Sequence, residues 1–134
     1  MPDVTVIRNG TFRGECLVHC DESVEVTAAA VRYTLTSRVP DARRPDVDVI
    51  EPLGSEEFEQ LAAAADPRAL AAAIPANALP ADSYDGGGEF VEIVSGAGAA
   101  ERVTFAAGAE VPALGALLGE LRALRAELAR RHRG

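Results

Sequence analysis

Toward the C-terminus, Leu114, Leu117, Leu118, Leu121, Leu124 and Leu128 recur at i, i+3, i+4 and i+7 spacing. An α-helix turns once in about 3.6 residues, so these side chains share one face. The pattern opens after Glu110-Val111-Pro112, where proline suits the first turn. Such a stripe has to be covered by another layer. Leu114, Leu121 and Leu128 also fit a heptad seam, but so short a repeat does not sustain a coiled coil, so the expected cover is a sheet.

The strands that would build that sheet lie elsewhere. Residues 3–8 alternate Val4 and Val6 with Thr5 and Ile7, and Asn9-Gly10 is a strong hairpin-turn signal. Residues 14–20 are expected to return as a second strand, with Cys16, Val18 and Cys20 on one face and Leu17 and His19 on the other. Residues 23–38 have strand-forming ends around an alanine-rich middle compatible with helix. Residues 39–54, interrupted by Pro40, Pro45 and Pro52, read as a surface connection with a short extended piece at 47–50. Ser55 is expected to cap a helix that buries Phe58 and Leu61, with Glu56, Glu57 and Glu59 favouring its N-terminal end. Pro67 opens a second short helix ending near Ile74, followed by a loop over 75–88. Residues 89–95 and 102–105 form a late hairpin across GAGAAE. The expected architecture is a single α+β domain spanning residues 1–134. A small antiparallel sheet from the N-terminal strands and the late hairpin packs against two or three helices, including the Leu-rich C-terminal helix.

Charge narrows the partners. The net charge is −8, which opposes nucleic-acid binding and favours solubility or a basic partner surface. No lysine is present, which excludes a Schiff-base lysine and a Walker-type phosphate lysine. From Val111 onward, five arginines against Glu120 and Glu127 give +3, read as cations favourable to the helix dipole. No apolar run reaches membrane-spanning length. The first ten residues have neither a basic n-region nor an apolar h-region, and two cysteines four apart on a strand would lie about 13 Å from each other. Reduced thiols and a cytoplasmic location follow as expectations.

Chemistry is sparse. Cys16, His19 and Cys20 form C-x-x-H-C, whose residue types suit zinc, but alternation along a strand sets His19 opposite the thiols and no fourth ligand lies near. Buried structural thiols are the expected reading, with a metal- or redox-sensing domain as a third-ranked one. GAGAAE lacks the third glycine and the following helix of a dinucleotide fingerprint. His132 is placed in a fraying tail. Without a nucleophile–base pair, no catalysis, metal or cofactor is expected, which leaves a binding module.

The stretch Arg8-Asn9-Gly10-Thr11-Phe12-Arg13-Gly14 resembles the R-x-G-G-F-x-G signature near the start of the emfourin family of protealysin inhibitors. Thr11 stands where that signature has its second glycine, and would be strained if the position needs a positive φ. The layout of residues 55–128 is also similar: LPADSYDGGGEFVEIVSG, then ERVTF, then EVPALGALLGELRAL. The resemblance implies a protein inhibitor of thermolysin-like zinc metallopeptidases that occludes the active cleft with a surface loop; the sequence does not fix its oligomeric state, and a monomer is the expectation. The implied partner-binding residues are Arg8, Asn9, Gly10, Thr11, Phe12, Arg13 and Gly14. Phe12 would anchor in an apolar primed-side pocket, and Arg8 and Arg13 would meet carboxylates at the rim. Residues 4–8 and 15–20 would form a rigid stem, since ordering a loose loop consumes affinity. The alternatives are that Phe12 folds onto the core and Arg13 is merely solvated, or that the chain is a structural or oligomerising module.

Overall fold

Six strands form one fully antiparallel sheet, and three helices cover a single face of it. The structure, a computed structural model, describes residues 3–73 and 87–133. The strands are β1 (Val4–Phe12), β2 (Asp21–Val26), β3 (Ala30–Thr36), β4 (Val47–Pro52), β5 (Gly88–Ser95) and β6 (Ala100–Ala106). Their spatial order is β4-β3-β2-β1-β5-β6. The first four make a meander. The chain then crosses the covered face through α1 (Ser55–Ala64) and α2 (Pro67–Ala73) and returns beside β1 as the β5–β6 hairpin. A 3₁₀ turn, Pro112–Leu114, leads into α3 (Ala116–His132), which lies over β1, β2 and β3.

The α+β class and the sheet-covered leucine face are as expected. Leu114, Leu117, Leu118, Leu121 and Leu128 are buried against Ile7, Val24, Val26, Val31, Tyr33 and Ile93. Apolar burial, at about 25 cal/mol per Å², holds this face of α3 to the sheet. Helix α2 packs on β6 and the 3₁₀ turn, burying Leu70. Pro67 is its first residue, and the Asp66 carboxylate accepts the Arg68 N–H at 2.9 Å. Gly54 rather than Ser55 is the N-cap of α1, without a side-chain cap. The alanine-rich stretch at 27–30 is a tight connection closed by Thr27 N–H to Ala30 O at 2.9 Å, not helix. The expected loop over 75–88 lies outside the described residues up to position 86.

The opposite face is open and polar. Across five strands, Arg32, Glu25, Arg8, Glu92 and Arg102 stand directly opposite one another in register, alternating in sign. Cross-strand pairs of opposite charge favour that register over its neighbours. Arg8 bonds Glu25 at 2.7 Å and Glu92 at 2.5 Å, and the Glu25 bond first, then Glu92, outweigh partial burial to raise its pKa. Arg102 lies 3.9 Å above the Phe90 ring.

Candidate interaction loop and the charge cluster behind it

The expected turn at Asn9-Gly10 is not a turn. Both residues are fully buried in the interior of β1, paired with β2 on one side and β5 on the other. The reason is tertiary. Asn9 faces the helices, donating from Nδ2 to Phe90 O at 2.9 Å and to Glu89 Oε2 at 3.1 Å, while its Oδ1 accepts from Arg125. Gly10 faces the other way, and a Cβ there would stand 2.6 Å from Glu22 O and 2.8 Å from both the Phe90 ring and Ser23 Cβ. Two glycine–x–phenylalanine triplets meet antiparallel here. Phe90 lies across from Gly10, and Phe12 lies across from Gly88, where a Cβ would fall 2.2 Å from the Phe12 ring. Each ring covers the other strand's glycine, a device that stabilises glycine in a sheet. Thr11 has no positive φ, so the feared strain is absent.

The strand therefore runs on to Phe12, and its pairing with Asp21 closes the base of a loop over residues 13–20. No strand forms at 14–20. The loop is folded back, so Cys16 and Cys20 have Cα atoms 5.5 Å apart and form a disulfide. This corrects the expectation of reduced thiols, which assumed an extended chain; it also leaves no thiolate for a zinc ligand. Closing so short a loop by a disulfide is worth about 2 kcal/mol in the chain-entropy picture. A second brace is Arg38, whose guanidinium donates to three loop carbonyls, Arg13 O at 2.7 Å, Gly14 O at 3.1 Å and Cys16 O at 2.8 Å. His19 is the only non-glycine residue described with a positive φ, 52°. Its N–H donates to Ser37 Oγ at 2.8 Å, and its ring nitrogen meets Pro45 O at 3.1 Å. At the tip Leu17 is 64% exposed.

Of the seven residues expected to touch a partner, Arg13 and Gly14 lie in this loop, Phe12 and Thr11 end the strand beneath it, and Arg8, Asn9 and Gly10 belong to the sheet. Phe12 is half-buried over Gly88. Sequence reasoning missed the exposed, loop-borne position of Leu17 because a strand was assigned there. The signal was present: Gly14, a glutamate, two cysteines and a histidine within seven residues form a poor strand.

On the covered face, Asn9 belongs to a charge cluster that α3 clamps. Glu89 is fully buried; it accepts from Arg122 at 2.6 Å, Asn9 at 3.1 Å and the Gly108 N–H at 3.2 Å, with Arg125 at 3.3 Å. Burial on its own would raise this carboxyl, but the hydrogen bonds from Arg122, Asn9 and Gly108 and the charge of Arg125 together hold it below the usual carboxylate range. Tyr33 donates to Glu22 at 2.5 Å, and burial first, then that bond, pushes its phenol up. Arg125 and Arg133 also pair with Glu22, each at 3.6 Å. His132 and Arg131 both bond Glu51 on β4, and His132 stacks on Tyr33, so the tail expected to fray is tied down. Arg122, Arg125, Arg131 and Arg133 are thus clasps between helix and sheet more than dipole partners, whereas Arg130 pairs with Glu127 on its own helix.

No protein-family model matches the chain, and no curated protein matches it. Among the described residues, no helix is long and apolar enough to cross a membrane, and no group of three His, Cys, Asp or Glu side chains is placed to hold a metal.

Proposed function

We propose that the chain is a protein inhibitor of thermolysin-like zinc metallopeptidases, with the disulfide-closed loop 13–20 as the element offered to the active cleft. The observation that carries this reading is Leu17, an exposed apolar side chain at the tip of a loop braced both by Cys16–Cys20 and by Arg38 on three carbonyls. Preorganisation of this kind removes the ordering cost that weakens a flexible ligand. The peptidase class comes from the likeness of residues 8–14 to the emfourin signature. In this reading β1 with its glycine–phenylalanine pairs is the stem, and the anchor passes from Phe12 to Leu17. The buried carboxylate of Glu89 is fully engaged by its partners and serves the stem as well. The cytoplasmic location loses the support of reduced thiols, because a persistent disulfide suits an oxidising compartment.

The test is a titration of thermolysin-like zinc endopeptidases with the full chain. Stoichiometric loss of activity is expected, and Leu17→Ser should raise the inhibition constant about 30-fold, from the burial of one leucine. Equal inhibition by both proteins, or none by either, refutes the assignment of the loop.

A second reading, an oligomerising module, is favoured by one observation. Ile50 is 69% exposed on the open face of edge strand β4. An unpaired edge with an apolar residue can pair with a second copy. A mass that rises with concentration, and falls back on Ile50→Lys, would support it.

A further inference from the structure

We infer that the contact surface is bipartite: the connection over residues 37–46 supplies a second apolar anchor, Val39, and Arg13 and Arg43 engage carboxylates at the mouth of the partner's cleft. This rests on the inhibitor reading and specifies what the partner must look like.

Three large hydrophobic side chains are exposed among the described residues, Leu17, Val39 and Ile50, at 64%, 40% and 69%. Ile50 stands apart on the sheet face. Leu17 and Val39 are neighbours through the backbone, since Leu17 O accepts the N–H of Arg38 at 2.8 Å and of Val39 at 3.1 Å. The two loops are further joined by His19 to Ser37 and to Pro45, and by the three bonds of Arg38. They present one continuous surface rather than two independent tips.

The second loop is as well built as the first. Asp46 accepts the Ser37 N–H at 2.9 Å, and Asp41 accepts the N–H groups of Arg43 at 2.9 Å and Arg44 at 3.1 Å. Those backbone bonds, with partial burial acting against them, hold the Asp41 carboxyl below its ordinary range. Between them the loop encloses a shallow groove lined by Val39, Pro40, Ala42 and Pro45. A groove beside an exposed valine accepts one apolar side chain from the partner while Val39 enters the partner.

Charge indicates what surrounds the partner's apolar subsites. Nearly every arginine in this acidic chain is engaged. Arg8, Arg32, Arg44, Arg122, Arg125, Arg130, Arg131 and Arg133 are in ion pairs. Arg38 binds carbonyls and Arg102 stacks on Phe90. Arg13, Arg43 and Arg68 have no side-chain partner among the described residues, and two of these three are exposed residues of the loops that carry Leu17 and Val39. Unpaired exposed cations beside an exposed apolar patch fit an apolar cleft with carboxylates at its rim. Glu15, on the first loop, carries the opposite sign, so these are two defined contacts rather than a uniformly basic surface.

The experiment measures inhibition constants and association rates against a thermolysin-like zinc endopeptidase at low and high salt. It compares the full chain with Val39→Ser, with Arg13→Glu plus Arg43→Glu, with Leu17→Ser and with Ile50→Ser. Val39→Ser should weaken inhibition about tenfold, as expected for one valine moved from a contact back to water. The double charge reversal should slow association about tenfold at low salt and much less at high salt, where screening removes steering. Ile50→Ser should change nothing. All five substituted positions are exposed, and matching urea midpoints check that each of the four variants is folded. If Leu17→Ser weakens inhibition while Val39→Ser and the charge reversal stay within twofold of the parent, the bipartite surface is wrong and the inhibitor reading stands. If the parent inhibits no such peptidase, both are wrong.

Discussion

Asn9-Gly10 and the loop at 13–20 lie a few residues apart and are made of similar turn-forming residues, yet one is strand interior and the other is the turn. Asn9 and Gly10 are wholly buried between β2 and β5, whereas Arg13, Gly14, Glu15 and Leu17 are exposed. The difference lies in what each side chain meets. Asn9 finds Glu89, the Phe90 carbonyl and Arg125, and Gly10 admits the Phe90 ring. Local turn propensity is worth about 1 kcal/mol, and a buried polar network with a ring packed on a glycine outweighs it. In the loop the corresponding long-range side-chain bond is the one from the His19 ring to Pro45 O, with no buried network behind it, so the loop bends and is braced by its own disulfide and by Arg38.

The comparison breaks most visibly at Glu89. Removing its carboxylate by Glu89→Ala leaves Arg122, Arg125 and Asn9 without their shared acceptor on the covered face. A loss of about 3–5 kcal/mol in urea unfolding is expected, the cost of orphaning buried charge. The same group gives the fold an acid limit. Its folded pKa is lowered, so the stabilisation is complete above the unfolded carboxyl value, about 4.3, and is lost as pH falls through the folded value. The urea midpoint of the parent should therefore fall on the acid side of that value. In Glu89→Gln this component of the decline should be missing.

Gly10→Ala is the next test. Its Cβ would meet a backbone oxygen at 2.6 Å, an atom that cannot rotate away. A destabilisation of about 1–3 kcal/mol is expected from overpacking, measured by the same unfolding curves. A turn glycine in solvent would tolerate alanine according to its φ, and Gly10 has no positive φ to protect. The cost, if found, is thus steric and belongs to the sheet.

Much of the fold is visible in the residues themselves. The leucine spacing of α3, the proline start of α2 and the hairpin around GAGAAE each depend on local pattern and recur in the structure. What the residues conceal is long-range. Nothing near Asn9 in the chain announces Glu89 or Arg125, and the C-terminal arginines read as dipole partners until the sheet is placed beneath them. The candidate site was hidden by one error of register in the chain. Ending β1 at Arg8 instead of Phe12 moved the turn forward, put Cys16 and Cys20 on a strand, and so forbade the disulfide that the folded loop brings together at 5.5 Å.

A comparable loss of stability, but with structural loosening confined to the loop, is expected from replacing Cys16 and Cys20 together by serine. The disulfide closes few residues, so global stability should fall by about 2 kcal/mol, and the domain should remain folded with its circular-dichroism spectrum unchanged. Amide exchange should quicken at residues 16–20 and stay slow along β1. Faster exchange at Asn9 and Gly10 as well would mean that strand and loop open as one unit, against the division drawn between them.

Leu17→Ser is the smallest of these effects on stability and the sharpest for the comparison. The leucine side chain is mostly in water, so its removal forfeits little burial. What the residue gives the fold is its carbonyl, which accepts the N–H groups of Arg38 and Val39, and serine keeps that carbonyl. The unfolding free energy from urea curves should change by no more than about 0.5 kcal/mol, as for surface substitutions generally. The amide signals of Arg38 and Val39 should stay protected. A loss beyond about 1 kcal/mol would show that the leucine packs against its own domain, which would count against its proposed role as an anchor. A neutral result leaves an apolar side chain that the fold holds in place and does not use, the property a contact residue must have.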